Sequence, residues 1–157
     1  MPNFMISWCS CTVLIQLFLM ADKLAFTERL LQTMEWSYGR YQFDFFLRID
    51  DDHFLCLDRL LYELNFRPKK ALYWGFVHCR PKIVRVDEAW LILTRDLIEE
   101  VLDKRNTTLL CSPYGDQAVA LWMGESSKNV TYFMDNQRII HKSAVPHKSV
   151  GRASRPP

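Results

Sequence analysis

Residues 43–54 have the sequence FDFFLRIDDDHF, an aromatic and apolar run that ends in three consecutive aspartates. Bulky side chains occupy both alternating sets of positions over residues 45–49, which is typical of a β-strand buried on both faces. Such a strand places Asp50, Asp51 and Asp52 at its carboxyl end. This is the edge at which open α/β sheets bind their ligands.

The aspartate triplet predicts a divalent metal site. Successive side chains of an extended segment point to opposite sides, so Asp50 and Asp52 can face one cation together. Carboxylate oxygens are the ligands that Mn²⁺ and Mg²⁺ prefer, and these ions commonly bridge protein carboxylates to substrate phosphates. The alternative is a solvated turn whose aspartates cap the following helix, because aspartate is frequent in turns and at helix N-termini.

The surrounding segments predict further helices and strands. Residues 21–38 have the apolar spacing of an amphipathic helix, with Gly39 as its C-cap. Leucines recur at helical spacing over residues 57–64, a turn follows the helix, and residues 71–77, ALYWGFV, predict a second aromatic strand. Two short strands are predicted near the end of the chain, at residues 130–133 and 138–140.

Five blocks of the sequence together resemble the β1,3-galactosyltransferase and N-acetylglucosaminyltransferase family. They are FDFFLRIDDDHF, LDRLLYEL, LYWGF, LTRDLI and YGDQAVALWM, within about residues 26–122. Among the members, the chain is most similar to those that build the proteoglycan linker. The resemblance implies a GT-A type, Rossmann-like α/β fold, with LTRDLI as a strand-to-helix element in which Thr94 is the N-cap. It also implies a UDP-sugar donor and inverting transfer of a hexose to a glycan hydroxyl in β1,3 linkage.

The same resemblance assigns roles to individual residues. Asp50 and Asp52 would hold Mn²⁺ or Mg²⁺ on the UDP diphosphate, and Asp51 would lie near the ribose or the metal-bound waters. His141 would complete the metal site as a neutral imidazole. Asp116 would be the base that deprotonates the acceptor hydroxyl, a role that requires a carboxylate within hydrogen-bond reach of that hydroxyl.

The sequence also departs from the family pattern. Gly115 stands where relatives have an acid before the catalytic aspartate, and Gln117 replaces a valine, so the alternative role for Asp116 is a helix N-cap. A long aromatic insert of the relatives is largely absent. Bulkier residues replace a glycine pair at residues 88–90, which suggests an altered pocket. Within this region, Asp87 and Glu88 could be substitute carboxylates, but a solvated turn is the preferred interpretation.

The first residues of the chain allow two interpretations. Residues 4–20, FMISWCSCTVLIQLFLM, contain no charge but are slightly short for a membrane span and lack preceding basic residues. They could be a marginal signal anchor, which the family's type II Golgi topology implies, or a buried strand and the start of a helix. Because few residues separate this run from the aspartates, we expect a chain shortened at its front. The predicted division is an apolar segment at 1–20, a transferase-like domain at 21–142 and a basic disordered tail at 143–157.

Composition limits the classes of function. The chain has 157 residues, 49% of them hydrophobic, which is enough for one domain with a real core. A net charge of +2 without a basic stripe argues against a nucleic-acid partner. The five cysteines lack the spacing of a zinc site, and Cys79 with Cys111 could form a disulfide. Two N-glycosylation sequons, at Asn106 and Asn129, fit a secretory-pathway protein.

Three functions are therefore considered. The first is a metal-dependent inverting hexosyltransferase of the Golgi membrane that acts on a glycan, glycoprotein or proteoglycan acceptor, with other glycosyltransferases as candidate heteromeric partners. The second is an inactive relative that binds a full-length transferase. The third is an unrelated metal-dependent phosphoryl enzyme, against which the absence of a glycine-rich phosphate loop argues.

Overall fold

A computed structural model describes residues 4–8, 11–18, 26–80, 83–110, 112 and 114–139 of the chain. Over these residues the structure is a mixed α/β arrangement, as the sequence predicted at that level. The GT-A assignment stays a prediction. In chain order the elements are β1 (Phe4–Trp8), β2 (Cys11–Phe18), α1 (Phe26–Arg40), β3 (Phe45–Asp50), α2 (Leu57–Leu64), β4 (Leu72–Arg80), β5 (Ile83–Thr94), α3 (Arg95–Lys104), α4 (Gly115–Gly124) and β6 (Thr131–Met134).

The described strands form a six-stranded mixed sheet in the order β1-β2-β3-β5-β4-β6. Strand β3 runs parallel to β2 and antiparallel to β5, and β4 runs parallel to β6. The aspartate strand therefore lies inside the sheet with a neighbour on each side. Its position fixes where the carboxylates that follow it can lie.

Strand β3 is buried on both faces, which confirms the interpretation of its two-sided apolar pattern. On one face Phe46 packs in a core shared with α1, α3 and α4. On the other face Phe45, Leu47 and Ile49 pack with Leu60 and Leu64 of α2. Of the helices that the structure describes, three pack on one side of the sheet and one packs on the other. Burial of both faces provides the driving force that holds this strand at the centre.

Two helix ends differ from the expectations. Gly39 lies inside α1, which ends at Arg40, so the predicted C-cap is wrong; the predicted start of this helix, residues 21–25, lies outside the described residues. Thr94 does stand at the N-cap position of α3, but its side chain makes no capping bond. Its Oγ1 instead accepts a hydrogen bond from the Leu72 N–H at 3.0 Å. The hydroxyl therefore joins the start of β4 to the end of β5.

The structure describes the two ends of the chain only in part. The apolar N-terminal run contributes the backbone of β1 and β2, which matches the strand alternative over 4–8 and 11–18. Among the described residues, no helix has the length and apolar character to cross a membrane. Strand β6 confirms the strand predicted at 130–133, whereas Arg138 and Ile139 form a turn in which both backbone N–H groups donate to the Asp135 carbonyl. His141, the 143–157 tail, Cys111 and the side chain of Cys79 lie outside what the structure describes.

A bulge in β5 displaces the residues beside the aspartate strand. Gly75 of β4 pairs with Leu91, but Val77 pairs with Val86, so one residue of β4 faces four residues of β5. Such irregularities re-aim side chains and are frequent beside functional sites. The bulge passes so close to β4 that a Cβ on Gly75 would lie 2.4 Å from Val86 Cγ1 and 2.5 Å from the Trp90 carbonyl oxygen. Glycine is therefore required at position 75.

We expect Gly75→Ala to lower the free energy of unfolding by about 1–3 kcal/mol, the usual cost of overpacking. The added methyl group would collide with a backbone oxygen that cannot move without disturbing the bulge. Urea denaturation measures this loss. Gly39→Ala is the matched control, since nothing lies within 4 Å of its added Cβ and alanine in a helix should stabilise by about 0.5–1 kcal/mol. Equal stability of Gly75→Ala and the parent chain would contradict the geometry of the bulge.

Candidate metal and carboxylate site

Asp50, the last residue of β3, lies beside a fully buried arginine. Arg48 is two residues earlier on the same strand, and its Nη2 donates a hydrogen bond to Asp50 Oδ1 at 2.9 Å. Alternation along the strand puts both side chains on one face. Burial raises the pKa of the Asp50 carboxyl above its usual range, and the neighbouring Arg48 charge opposes that rise. Burial likewise lowers the pKa of the Arg48 guanidinium, while Asp50 opposes the shift.

A tight turn after β3 brings two more ligand-type side chains to Asp50. The His53 N–H donates to the Asp50 carbonyl at 3.2 Å, which folds the chain back. As a result Asp50, Asp52 and His53 can each offer one ligand atom, with these atoms within 4.8 Å of one another. Asp52 Oδ1 and His53 Nδ1 are 2.8 Å apart. Asp51 is exposed and is not a member of this group.

The three side chains fit the kind of cation that the sequence predicted. Two carboxylates and one imidazole form a donor set suited to Mn²⁺, which accepts both oxygen and nitrogen ligands. The sequence predicted Asp50 and Asp52 as a pair, with His141 as the imidazole ligand. His141 lies outside the described residues, and within the described part of the chain the structure brings His53 to the two carboxylates. Its direct position after the aspartate triplet is a clue that could have identified it.

Asp116 lies in the first turn of α4 but is not its N-cap, because the helix begins at Gly115 and Tyr114 holds the cap position. Its carboxylate is buried and already engaged. Oδ1 accepts a hydrogen bond from the Gln117 N–H at 2.7 Å, and Oδ2 lies 2.9 Å from Arg85 Nη1. Each carboxylate oxygen can accept a second hydrogen bond, so a substrate hydroxyl could still bind.

Asp87 and Glu88 do not form the solvated turn that the sequence analysis preferred. Both lie in β5, within the bulge. Asp87 Oδ2 is 2.7 Å from His78 Nε2, and Asp87 Oδ1 accepts a hydrogen bond from the Ala89 N–H at 2.9 Å. Glu88 Oε2 accepts a hydrogen bond from the Asp116 N–H at 3.2 Å. The segments on both sides of this pair, IVRV and AWLIL, are mostly apolar and were the sequence clue to a continuous strand.

The buried Arg48 stands among four carboxylates from three elements. The charges of Asp50, Glu88, Asp87 and Asp116 all act on its guanidinium. Burial also raises the pKa of Glu88, and the charges of Asp116 and Asp50 raise it further, although Arg48 opposes this. The metal candidates and the candidate base therefore share one electrostatic environment.

An open cleft of about 760 Å³ begins at Asp52 and His53. This volume lies within the range of about 300–1,000 Å³ found for ligand pockets. Two tryptophans that pack edge to face, Trp74 and Trp90, contribute to its apolar surface. Asp116 does not line the cleft, so the two predicted functional regions are neighbours rather than one pocket. The other lining residues are Phe54, Leu55, Cys56, Arg59, Leu60, Glu63, Asp135, Arg138 and Ile139.

Comparison with known proteins finds a partial likeness to a glycosyltransferase. The chain is 37% identical over 60 residues to beta-1,3-galactosyltransferase 6 of Mus musculus, which corresponds to 36% of this chain and 18% of that protein. No family model matches the chain. The similarity supports a region like a β1,3-galactosyltransferase, and it extends over less than a fifth of the relative's length.

We expect the raised pKa of Asp50 to contribute a stabilisation that weakens as the pH rises. The folded state binds the Asp50 proton more tightly than the unfolded state does. The stabilisation is therefore complete below the ordinary carboxyl pKa of about 4, and it is lost as the pH rises past the higher pKa that Asp50 has in the folded state. Urea denaturation at several pH values between about 4 and 7 measures this slope. Asp50→Asn should flatten the curve, whereas the exposed Asp103→Asn should not; equal slopes in the two variants would contradict the burial of the Asp50 charge.

Proposed function

We propose that the chain is a metal-dependent inverting hexosyltransferase that moves a sugar from a UDP-sugar to a glycan hydroxyl in β1,3 linkage. The observation that carries the proposal is the convergence of Asp50, Asp52 and His53 at the end of β3, beside an open cleft. The partial similarity to a galactosyltransferase supports the choice of sugar transfer and, in general terms, a sugar donor and a glycan acceptor.

The donor end of the site uses the residues that follow β3. Asp50, Asp52 and His53 would hold Mn²⁺ or Mg²⁺, and the exposed Asp51 would contact the ribose or the metal-bound waters. His141 stays a proposed additional ligand. When bound, the metal would neutralise charge on the UDP diphosphate. The Arg48 hydrogen bond holds Asp50 Oδ1, and each carboxylate oxygen can accept more than one bond.

The acceptor end of the site uses Asp116 as the base. The acceptor hydroxyl would give its proton to the Asp116 carboxylate while its oxygen forms a bond to the anomeric carbon of the donor sugar. The bond from that carbon to the UDP oxygen breaks, and UDP leaves with the electron pair. Attack from the face opposite the leaving group inverts the anomeric centre. Arg85 keeps the Asp116 carboxylate in place before the acceptor arrives.

The cellular setting follows from the same proposal. A glycan, glycoprotein or proteoglycan acceptor fits a type II Golgi protein with a lumenal domain, in which other glycosyltransferases are candidate partners. Asn106 and Asn129, the two sequon asparagines, are both exposed. Exposure is what N-glycosylation in the secretory pathway requires.

One observation favours the alternative, an inactive relative that binds a full-length transferase. Both oxygens of Asp116 already have partners within the chain, Gln117 and Arg85. An acceptor hydroxyl would have to share these two oxygens with their present partners. Measured turnover distinguishes the two functions.

We expect the purified chain to transfer sugar from a UDP-hexose to a β-glycoside acceptor only when Mn²⁺ or Mg²⁺ is present. Asp52→Ala should lower the rate more than about 100-fold. Loss of a hydrogen bond that supports a metal ligand already lowers activity about 10- to 100-fold, and loss of the ligand itself should lower it further. Product analysis by NMR identifies the linkage and the anomeric configuration.

The matched control is Asp58→Ala, which removes an exposed carboxylate from α2. This variant should transfer sugar at the parent rate. Transfer that survives Asp52→Ala, or retention of the anomeric configuration, would overturn the proposed mechanism. Absence of transfer with every UDP-sugar, together with capture of a full-length transferase, would establish the alternative.

A further inference from the structure

We propose that Glu88 positions Asp116, by supplying from β5 the carboxylate that binds the N-terminus of α4. The catalytic consequence of this contact rests on the proposed function, whereas the contact itself does not. Glu88 is a positioning residue, because it acts on substrate only through Asp116.

The contact is made between a side chain and the helix backbone. Glu88 Oε2 accepts a hydrogen bond from the Asp116 N–H at 3.2 Å. This N–H belongs to the first turn of α4, where backbone donors have no partner within the helix. The N-terminus of a helix also carries partial positive charge, which a carboxylate neutralises. Glu88 is therefore held where a negative charge is favourable, although its side chain is partly buried.

Gly115 makes room for this carboxylate. A Cβ at position 115 would lie 2.9 Å from Glu88 Oε2 and 3.2 Å from Cδ1 of Phe26. The side chain of residue 88 thus occupies the space that a side chain at residue 115 would need. Two apparently separate features of the sequence, a glutamate in a strand and a glycine at the start of a helix, are therefore one complementary pair.

The bulge in β5 connects this pair to the aspartate strand. Trp90, two residues after Glu88, pairs with Ile49 of β3, and Asp50 follows directly. The metal candidates and Asp116 are therefore connected through the pairing of β3 with β5 and the hydrogen bond between Glu88 and Asp116. Glu88 fixes the backbone of Asp116 while Arg85 fixes its carboxylate. The separation between the two ends of the proposed site depends on both contacts.

A thermal double-mutant cycle tests the contact. Gly115→Ala in the parent chain should lower the unfolding midpoint by about 2–4 °C, the shift that a modest loss of stability gives a chain of this size. In the Glu88→Ala background, the same Gly115→Ala change should cost clearly less, because its added methyl group no longer meets a carboxylate. Equal costs in the two backgrounds would overturn the inference, since residues without contact have additive effects.

Steady-state kinetics test the positioning role. Glu88→Ala should lower kcat about tenfold or more while KM for the UDP-sugar changes less than about twofold, because Asp116 shifts and the donor site does not. Glu88→Gln retains an oxygen acceptor for the Asp116 N–H and should recover most of the rate. If Glu88 had only a structural role, Glu88→Ala would lower the amount of folded protein. It would not lower kcat with KM unchanged, and Glu88→Gln would not recover the rate.

The outcomes separate this inference from the proposed function. Transfer by the parent chain that is unaffected in Glu88→Ala would overturn the positioning role and leave the transferase proposal standing. A parent chain that transfers no sugar would end the transferase proposal, and the thermal cycle alone would then decide whether Glu88 holds α4. Should Glu88→Ala fail to fold, Glu88→Asp takes its place in the cycle, because a side chain shorter by one methylene withdraws the carboxylate from the space beside residue 115.

Discussion

The buried guanidinium of Arg48 is the constraint on which the site depends. An ionised side chain taken out of water without partners costs on the order of several kcal/mol, so the fold must place negative charge beside it. Asp50 provides a direct hydrogen bond, and the charges of Glu88 and Asp116 act on the same cation. The ring of Phe26 lies 4.7 Å from the guanidinium carbon and covers it. The Arg48 charge is thus neutralised by carboxylates from the end of β3, the bulge in β5 and the first turn of α4.

This arrangement explains why the two ends of the site stay together. The carboxylates would repel one another if they stood alone, and burial already raises the pKa of Asp50 and of Glu88. A cation bound at the end of β3 would add positive charge to a cluster in which, among the described residues, Arg48 and Arg85 lie close to the carboxylates. The apolar cores on both faces of the sheet keep Arg48 buried, so packing and electrostatics support the same geometry.

Local patterns in the sequence predicted the elements that depend on local chemistry. The two-sided apolar run of β3 and the leucine spacing of α2 were sufficient, because burial alone determines them. Contacts between distant residues could not be predicted. Glu88 meets Asp116 only because β5 bulges against β4, and Thr94 bonds to Leu72 of β4 rather than capping its own helix. The aspartates were predicted as a site because three consecutive acids directly follow an aromatic, buried strand, whereas a lone histidine or glutamate carries little information until its neighbours are known.

Binding of Mn²⁺ in the presence of UDP, followed by the electron paramagnetic resonance of the free ion, tests the central claim most directly. The account predicts that the chain removes free Mn²⁺ at a defined stoichiometry, and that Asp50→Asn, Asp52→Asn and His53→Ala each weaken binding about tenfold or more. Asp58→Asn should leave the affinity unchanged. The same loss of free Mn²⁺ in Asp52→Asn as in the parent chain would contradict a metal site at the end of β3.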